Sequence, residues 1–122
     1  EQAKLTADDA GKADNFGSSL SISGDTLIIG APLSDTNAGK DAGAAYIFVR
    51  NGDRWQQQAK LTAKDVQPAD RFGQAVSTTG RNAIIGAPFA SDHQHAGSGA
   101  AYSFVRVDGV SVDHKALTKP YE

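Results

Sequence analysis

The 122-residue chain contains no cysteine and no methionine. The lack of cysteine excludes disulfides and thiolate metal sites, although it does not fix the cellular compartment. No signal peptide precedes the first structured segment, and the chain does not begin with methionine. We therefore expect the chain to be a segment of a larger or processed precursor.

An excess of positive charge and long apolar runs are also missing. Twelve Lys and Arg residues against fourteen Asp and Glu residues give a net charge of -2. Because nucleic-acid binding usually requires a basic stripe, we expect no nucleic-acid partner. No apolar run approaches the ~20 residues that span a bilayer, so we expect no membrane insertion. Aromatic residues make up only 7% of the chain, and glycine is frequent, which favours tightly turned strands over a helical bundle.

The most informative feature that is present is an internal repeat with an offset of 56 residues. Residues 2–7 return as 58–63, 14–17 as 70–73, 28–32 as 84–88, and 43–50 as 99–106. Pairing residues 2–57 with 58–113 gives about 25 identities. Such a fixed period predicts units that cannot bury their apolar faces alone. We therefore predict one domain over 1–122, with repeat 1 at about 2–57, repeat 2 at about 58–113 and a terminal strand at about 110–118.

Each repeat predicts four short strands and no helix, because no segment has a sustained helical period. The predicted strands are 18–23, 26–30, 44–50 and 54–62 in repeat 1, and 74–79, 82–86, 100–106 and 110–118 in repeat 2. Glycine-containing pairs such as Gly24-Asp25 predict tight hairpin turns. Proline ends the second strand of each repeat, because it cannot donate to a sheet.

The second and third strands predict burial on both faces of the sheet. Ile28 and Ile29 are adjacent, and residues 46–49 form an unbroken apolar run, whereas a strand with one wet face would alternate. A small antiparallel sheet that is buried on both faces lies between two others, as four-stranded propeller blades do around their axis. A two-sheet sandwich is the alternative, but it explains neither the repeat nor the two-sided burial.

Two short motifs recur in register with these strands. They are Phe-Gly at Phe16-Gly17 and Phe72-Gly73, and Gly-Ala-Pro at Gly30-Ala31-Pro32 and Gly86-Ala87-Pro88. With these motifs the chain resembles the FG-GAP repeat family, whose repeats form the β-propeller at the head of integrin α subunits. The surrounding residues look most like the bacterial form found in secreted and surface proteins.

The resemblance covers nearly the whole chain and implies an all-β fold of two four-stranded antiparallel propeller blades. It also implies a non-catalytic extracellular binding or adhesion module. The protein is then expected to be secreted or on the cell surface, as a domain of a larger bacterial protein.

Two blades are too few for a propeller, which needs roughly four to eight. Uncovered apolar faces and strand edges promote association. Three copies would give six blades and four copies would give eight. We expect a homotrimer that completes six blades, because closed rotational symmetry covers every face equally. Excision from a longer array is the alternative. An outer strand of a blade could come from residues 2–6, 54–62 or 110–118. The sequence therefore leaves both terminal segments as candidates for closing the ring.

The predicted ligand surface is the rim that carries the long loops 7–15, 33–42, 63–71 and 89–98. In an up-and-down sheet these loops emerge at one end, and long loops on a rigid scaffold often carry function. The ligand could be a protein or a glycan. The candidate binding residues on this rim are Asp8, Asp9, Asp35, Asp41, Asp65, Asp92, His93 and His95.

Calcium near Asp8, Asp9, Asp35 and Asp41 is an open alternative, since calcium takes six to eight oxygen ligands. The calcium loop of integrin blades is absent, because residues 23–26 and 79–82 are too short and poorly acidic to form it. Asp14 and Asp70 are expected to cap backbone NH groups in a turn. His93 and His95 could ligate zinc or copper, but no third ligand is apparent, and a solvated loop is favoured.

The sequence contains no catalytic motif, such as a Gly-x-Ser-x-Gly elbow or a phosphate-binding glycine loop. We therefore expect no enzymatic activity. A structural trimerisation domain of a larger secreted protein is the alternative function. A propeller enzyme acting on glycans is a third, which rests on fold analogy alone. Trp55 is expected to pack near a sheet edge, with an exposed partner anchor as the alternative.

Overall fold

The computed structural model describes residues 4–6, 14–35, 39–62, 68–79, 81–90, 99–107 and 110–117. Eight strands form two antiparallel sheets of four, and in each sheet the spatial order follows the chain. The strands are β1 (Ser19–Ser23), β2 (Thr26–Ala31), β3 (Ala44–Asn51), β4 (Arg54–Leu61), β5 (Ala75–Thr78), β6 (Asn82–Ala87), β7 (Ala100–Val107) and β8 (Val110–Leu117). We call β1–β4 sheet 1 and β5–β8 sheet 2.

The strands agree with the predicted ones to within one residue at every end. Ser23 pairs with Thr26 across the Gly24-Asp25 turn, and Gly24 has the positive φ of 58° that this tight turn requires. A β-bulge interrupts the pairing of β3 with β4 between Ile47 and Phe48. None of the described residues forms a helix long and apolar enough to cross a membrane.

Each sheet has two distinct faces, because directly opposed residues in antiparallel strands point the same way. The pairs Ile29–Tyr46 and Leu27–Phe48 place these four side chains on one side of sheet 1, which we call its front face. The opposite side, the back face, carries Ile28 and Ile47, which pair with each other. The equivalent residues 56 positions later define the front and back faces of sheet 2.

The main core lies between the back face of sheet 1 and the front face of sheet 2. Ile28, Ala45 and Ile47 from sheet 1 form one buried cluster with residues of sheet 2. The members from sheet 2 and the turn before it are Phe72, Ala83, Ile85, Ala87, Tyr102 and Phe104. A second cluster covers the front face of sheet 1, where Ile29, Tyr46 and Phe48 are buried beneath Phe16, Leu5 and Trp55.

The predicted two-sided burial is confirmed in sheet 1 and is wrong in sheet 2. In β2 both Ile28 and Ile29 are buried, and β3 is buried without interruption from Ala44 to Phe48. In β6, burial alternates, and Ile84 on the back face is 41% exposed. The physical reason is that nothing in the described part of the chain covers the back face of sheet 2.

Sheet 1 approaches the start of sheet 2 so closely that position 30 has no room for a side chain. The Ser19 hydroxyl donates to the Gly73 carbonyl oxygen over 2.9 Å, and the Thr78 amide donates to the Ser21 hydroxyl over 3.1 Å. A methyl group at Gly30 would overlap both the Gly73 carbonyl oxygen and the Ser19 hydroxyl. Glycine at position 30 is therefore required by the contact between the sheets.

The substitution Gly30→Ala should destabilise the protein by about 3 kcal/mol, the upper end of the usual cost of overpacking. The matched control is Gly86→Ala at the equivalent position of sheet 2, where the added methyl would meet only the Ala75 Cβ at 3.7 Å. That variant should be unchanged or more stable by about 0.5–1 kcal/mol, because glycine is unfavourable within strands. Urea unfolding in dilute solution measures both, and equal effects at the two glycines would contradict this account.

Candidate loop-rim site

The loops of the two sheets are joined by main-chain hydrogen bonds along one rim. The amides of Ala69, Arg71 and Phe72 donate to the carbonyl oxygens of Lys40, Asp41 and Ala42 over 2.8, 3.1 and 2.9 Å. Gly43 and Phe72 form an isolated parallel bridge at the end of this contact. The loop after β2 and the segment before β5 therefore form one continuous surface, which we call the loop rim.

The turn before each Phe-Gly motif ties a second loop to the same rim. The carbonyl oxygen of Asp14 accepts from the Leu33 amide over 3.2 Å, and that of Asp70 accepts from the Phe89 amide over 3.4 Å. Asn15 and Arg71, the residues that follow, have positive φ values of 61° and 59°. The main-chain atoms of these aspartates therefore hold the loops together, whereas the predicted side-chain cap stays a prediction.

The Phe-Gly and Gly-Ala-Pro motifs build the scaffold beneath the rim. Phe72 is fully buried and meets Tyr102 and Phe104 edge to face, with ring centroids 5.3 and 6.0 Å apart. Phe16 makes the same arrangement with Tyr46 and Phe48 at 5.4 and 6.1 Å, although it stays partly exposed. Such edge-to-face pairs stabilise a core beyond simple area burial.

Two predicted binding residues, Asp35 and Asp41, lie on the loop rim. The Asp41 amide donates to Oδ1 of Asp35 over 3.0 Å, so the exposed Asp35 carboxylate closes its own loop. Asp41 has a positive φ of 56°, which this closure holds in place. The other six candidates lie outside the described residues: Asp8, Asp9, Asp65, Asp92, His93 and His95.

The described part of the chain contains no group of three or more His, Cys, Asp or Glu side chains that could hold a metal ion. Of the expected calcium site, the described residues include only Asp35 and Asp41, whose carboxylates alone supply fewer than the six to eight oxygen ligands that calcium takes. Asp8 and Asp9, the other members of the expected calcium site, lie outside the described residues, so calcium binding stays a prediction.

The loop rim carries a cation–aromatic pair that was not predicted from the sequence. The Arg71 guanidinium carbon lies 4.8 Å from the centroid of the Phe89 ring, and Phe89 is 50% exposed. The equivalent residues of repeat 1 are Asn15 and Leu33, which cannot form this pair. The sequence holds one indication of this pair: the two repeats differ at both of its positions, which flank the shared motifs.

Trp55 lies away from the loop rim, near the hairpin end of sheet 1. It is partly buried against the front-face cluster, and Arg50 lies 5.6 Å from its ring centroid. Nε of Arg50 also donates to Oδ1 of Asp25 over 3.3 Å. The structure therefore agrees with the interpretation of Trp55 as a residue packed near a sheet edge.

The comparisons with known proteins identify the family. The model described as FG-GAP repeat matches residues 1–48, which reach into β3, and residues 55–104, which run from β4 into β7, and together these two matches cover most of the chain. The chain therefore belongs to the FG-GAP repeat family, whose repeats are integrin-like β-propeller motifs that typically occur in extracellular domains. The comparison with curated proteins gives no match.

The role of Asp35 as a loop brace can be tested with a pair of variants. Asp35→Ala removes the acceptor and should speed hydrogen exchange at the Asp41 amide at least tenfold. Asp35→Asn keeps an oxygen that can accept the same bond and should leave the exchange rate nearly unchanged. Exchange at Asp41 that is equally slow in Asp35→Ala would contradict the role assigned to this carboxylate.

Proposed function

We propose that the chain is a non-catalytic extracellular binding or adhesion module whose ligand surface is the loop rim. The observation that carries the proposal is the Arg71–Phe89 pair, whose Phe89 ring is half exposed, on a rim that main-chain hydrogen bonds join together. Functional groups on loops are effective when a rigid scaffold positions them. Family membership supports this kind of function, since FG-GAP repeats generally serve as binding modules without enzymatic activity.

The chemistry of the pair suits a protein or glycan ligand. Half of the Phe89 surface is available to an apolar patch or to the apolar face of a sugar ring. Arginine is enriched at binding hot spots, and its planar guanidinium can donate to a carboxylate or hydroxyl while it stacks on a ring. Asp35 and Lys40 add exposed charges of both signs to the loop rim.

The assembly that presents this rim is proposed to be a homotrimer with six blades in one propeller. The support is that the front face of sheet 1 and the back face of sheet 2 both carry exposed apolar side chains in the described structure. A cyclic arrangement would cover both faces in every copy. The loop rims of three copies would then lie at one end of the ring, which gives a multivalent surface.

Secretion or display on the cell surface, within a larger bacterial protein, is the proposed location. It follows from the usual extracellular setting of FG-GAP repeats.

A second candidate function is structural, in which the domain only trimerises its parent protein. The uncovered apolar faces favour this candidate, because they call for association whether or not the rim has a ligand. The two functions differ in what they predict for the rim: a binding module needs Arg71 and Phe89, whereas a trimerisation domain does not.

The rim can be tested with paired substitutions at equivalent positions of the two repeats. Arg71→Ala and Phe89→Ala should each weaken binding at least tenfold on a glycan array or in capture of an extracellular protein partner. Asn15→Ala and Leu33→Ala are the matched controls and should bind like the unaltered chain. The rim hydrogen bonds of Arg71 use main-chain atoms, so its substitution leaves them in place.

Each outcome of this experiment distinguishes the candidates. Loss of binding in the Arg71 and Phe89 variants alone supports the rim as the ligand surface. Absence of binding in the unaltered chain, while it still assembles, favours the trimerisation function. Turnover of a glycan on the array would contradict both candidates and indicate an enzyme.

A further inference from the structure

Two faces of the described structure expose apolar side chains whose equivalents are covered. On the front face of sheet 1, Leu20 and Ile22 are 62% and 58% exposed. Their equivalents on the front face of sheet 2, Val76 and Thr78, are partly buried against sheet 1. On the back face of sheet 2, Ile84 and Val105 are 41% and 40% exposed.

Gly86 lies on the same uncovered back face, and no contact within the described residues requires a glycine there. It occupies the middle of a strand, where glycine is unfavourable, and a methyl group there would make only ordinary contact with Ala75. Its equivalent, Gly30, cannot carry a methyl group, because the Gly73 carbonyl oxygen lies against it. Gly86 therefore has the clearance that a neighbouring main chain would need.

A main-chain carbonyl that could occupy this clearance in a second copy lies on the other sheet, at Gly17. Gly17 and Gly73 have nearly equal φ values of 95° and 99°. The Gly17 amide donates to Gly30, and the Gly73 amide donates to Gly86, each over 3.0 Å. The Gly17 carbonyl is thus oriented on sheet 1 as the Gly73 carbonyl is on sheet 2, and a methyl group at Gly17 would meet nothing within 4 Å.

We propose that the back face of sheet 2 binds the front face of sheet 1 of a second copy of this chain, with the partner's Gly17 carbonyl against Gly86. The inference rests on the homotrimer in the proposed function and deepens it by naming the two surfaces and their register. The interface repeats the contact between sheets 1 and 2 within one chain. Because two different surfaces meet, the contact is head to tail, and in the homotrimer of the proposed function three such contacts would close the ring.

The contact between copies is weaker than the contact within the chain. Ser77 keeps the hydroxyl that in Ser21 accepts from a neighbouring amide, so one of the two cross-sheet hydrogen bonds is retained. The other is lost, because Ala75 replaces Ser19. On the back face, Ser103 also replaces the buried Ile47. Association is therefore reversible and depends on protein concentration.

The N-terminal segment partly covers the front face and must move when a copy binds. Leu5 packs on the cluster of Ile29, Tyr46 and Phe48, as Leu61 packs on the equivalent cluster of sheet 2. In a second copy, Leu117 holds the register position of Leu61, since it pairs with Ala101 as Leu61 pairs with Ala45. Residues 4–6 and the end of the partner's β8 therefore compete for one position.

The test uses one variant for each face, measured by sedimentation velocity over a range of concentrations. Gly86→Val blocks the back face of sheet 2, and Leu20→Asp places a charge on the front face of sheet 1. Each variant alone should keep the far-ultraviolet dichroism and urea unfolding of the dilute unaltered chain, and should associate at least tenfold more weakly. Asp53→Asn, in the exposed turn between β3 and β4, is the control and should associate normally.

The mixture of the two variants is the decisive measurement. Each variant retains the face that the other lacks, so an equimolar mixture should form a species of two chains and nothing larger. Deletion of residues 1–6 should strengthen association of the otherwise unaltered chain. Variants that associate like the unaltered chain, a mixture that stays monomeric, or a deletion that weakens association would each overturn the proposal.

The outcome for the interface is separable from the outcome for the rim. Neither Gly86 nor Leu20 belongs to the loop rim, and Arg71→Ala and Phe89→Ala leave both faces intact. Assembly without ligand binding would refute the binding function while this interface stands. A chain that binds ligand at the rim but stays monomeric at all concentrations would refute the interface while the binding function stands.

Discussion

The close approach of two main chains at Gly30 and Gly73 sets how the two sheets pack against each other. Because position 30 has no side chain, the Gly73 carbonyl oxygen lies against β2 and accepts a hydrogen bond from the Ser19 hydroxyl. This contact fixes the distance and register between the sheets. Phe72, one residue earlier, then enters the shared core, and the segment before it pairs with residues 40–42 to form the loop rim. Core and rim therefore follow from one contact.

The same constraint explains why the two repeats, nearly half identical in sequence, have different surroundings. Sheet 1 is covered on its back by sheet 2 and on part of its front by Phe16, Leu5 and Trp55. Sheet 2 is covered only on its front within the described residues. The surface around Ile84 and Gly86 is therefore uncovered within the described residues, and we propose that a sheet of the same kind covers it.

Much of the fold could be predicted from the sequence, because the 56-residue offset displays every strand, turn and motif twice. The exposure of Ile84 could not, since residues 84–88 are identical to residues 28–32, and the exposure depends on the number of neighbouring sheets. On the rim, aspartates were predicted as ligands from composition, but composition does not show that the Asp35 carboxylate accepts from Asp41. The Arg71–Phe89 pair depends on residues 18 positions apart, which only the fold brings together.

The proposed ligand surface on the rim and the proposed self-association surfaces on the two uncovered faces are separate parts of the molecule. They share the scaffold built by the Phe-Gly and Gly-Ala-Pro motifs, and they use different side chains. Ring closure would cover the exposed apolar faces and gather the rims at one end. Native mass spectrometry of the unaltered 122-residue chain tests it most directly. The account predicts a discrete species of three chains in equilibrium with monomer, whereas monomer alone at every concentration would contradict it.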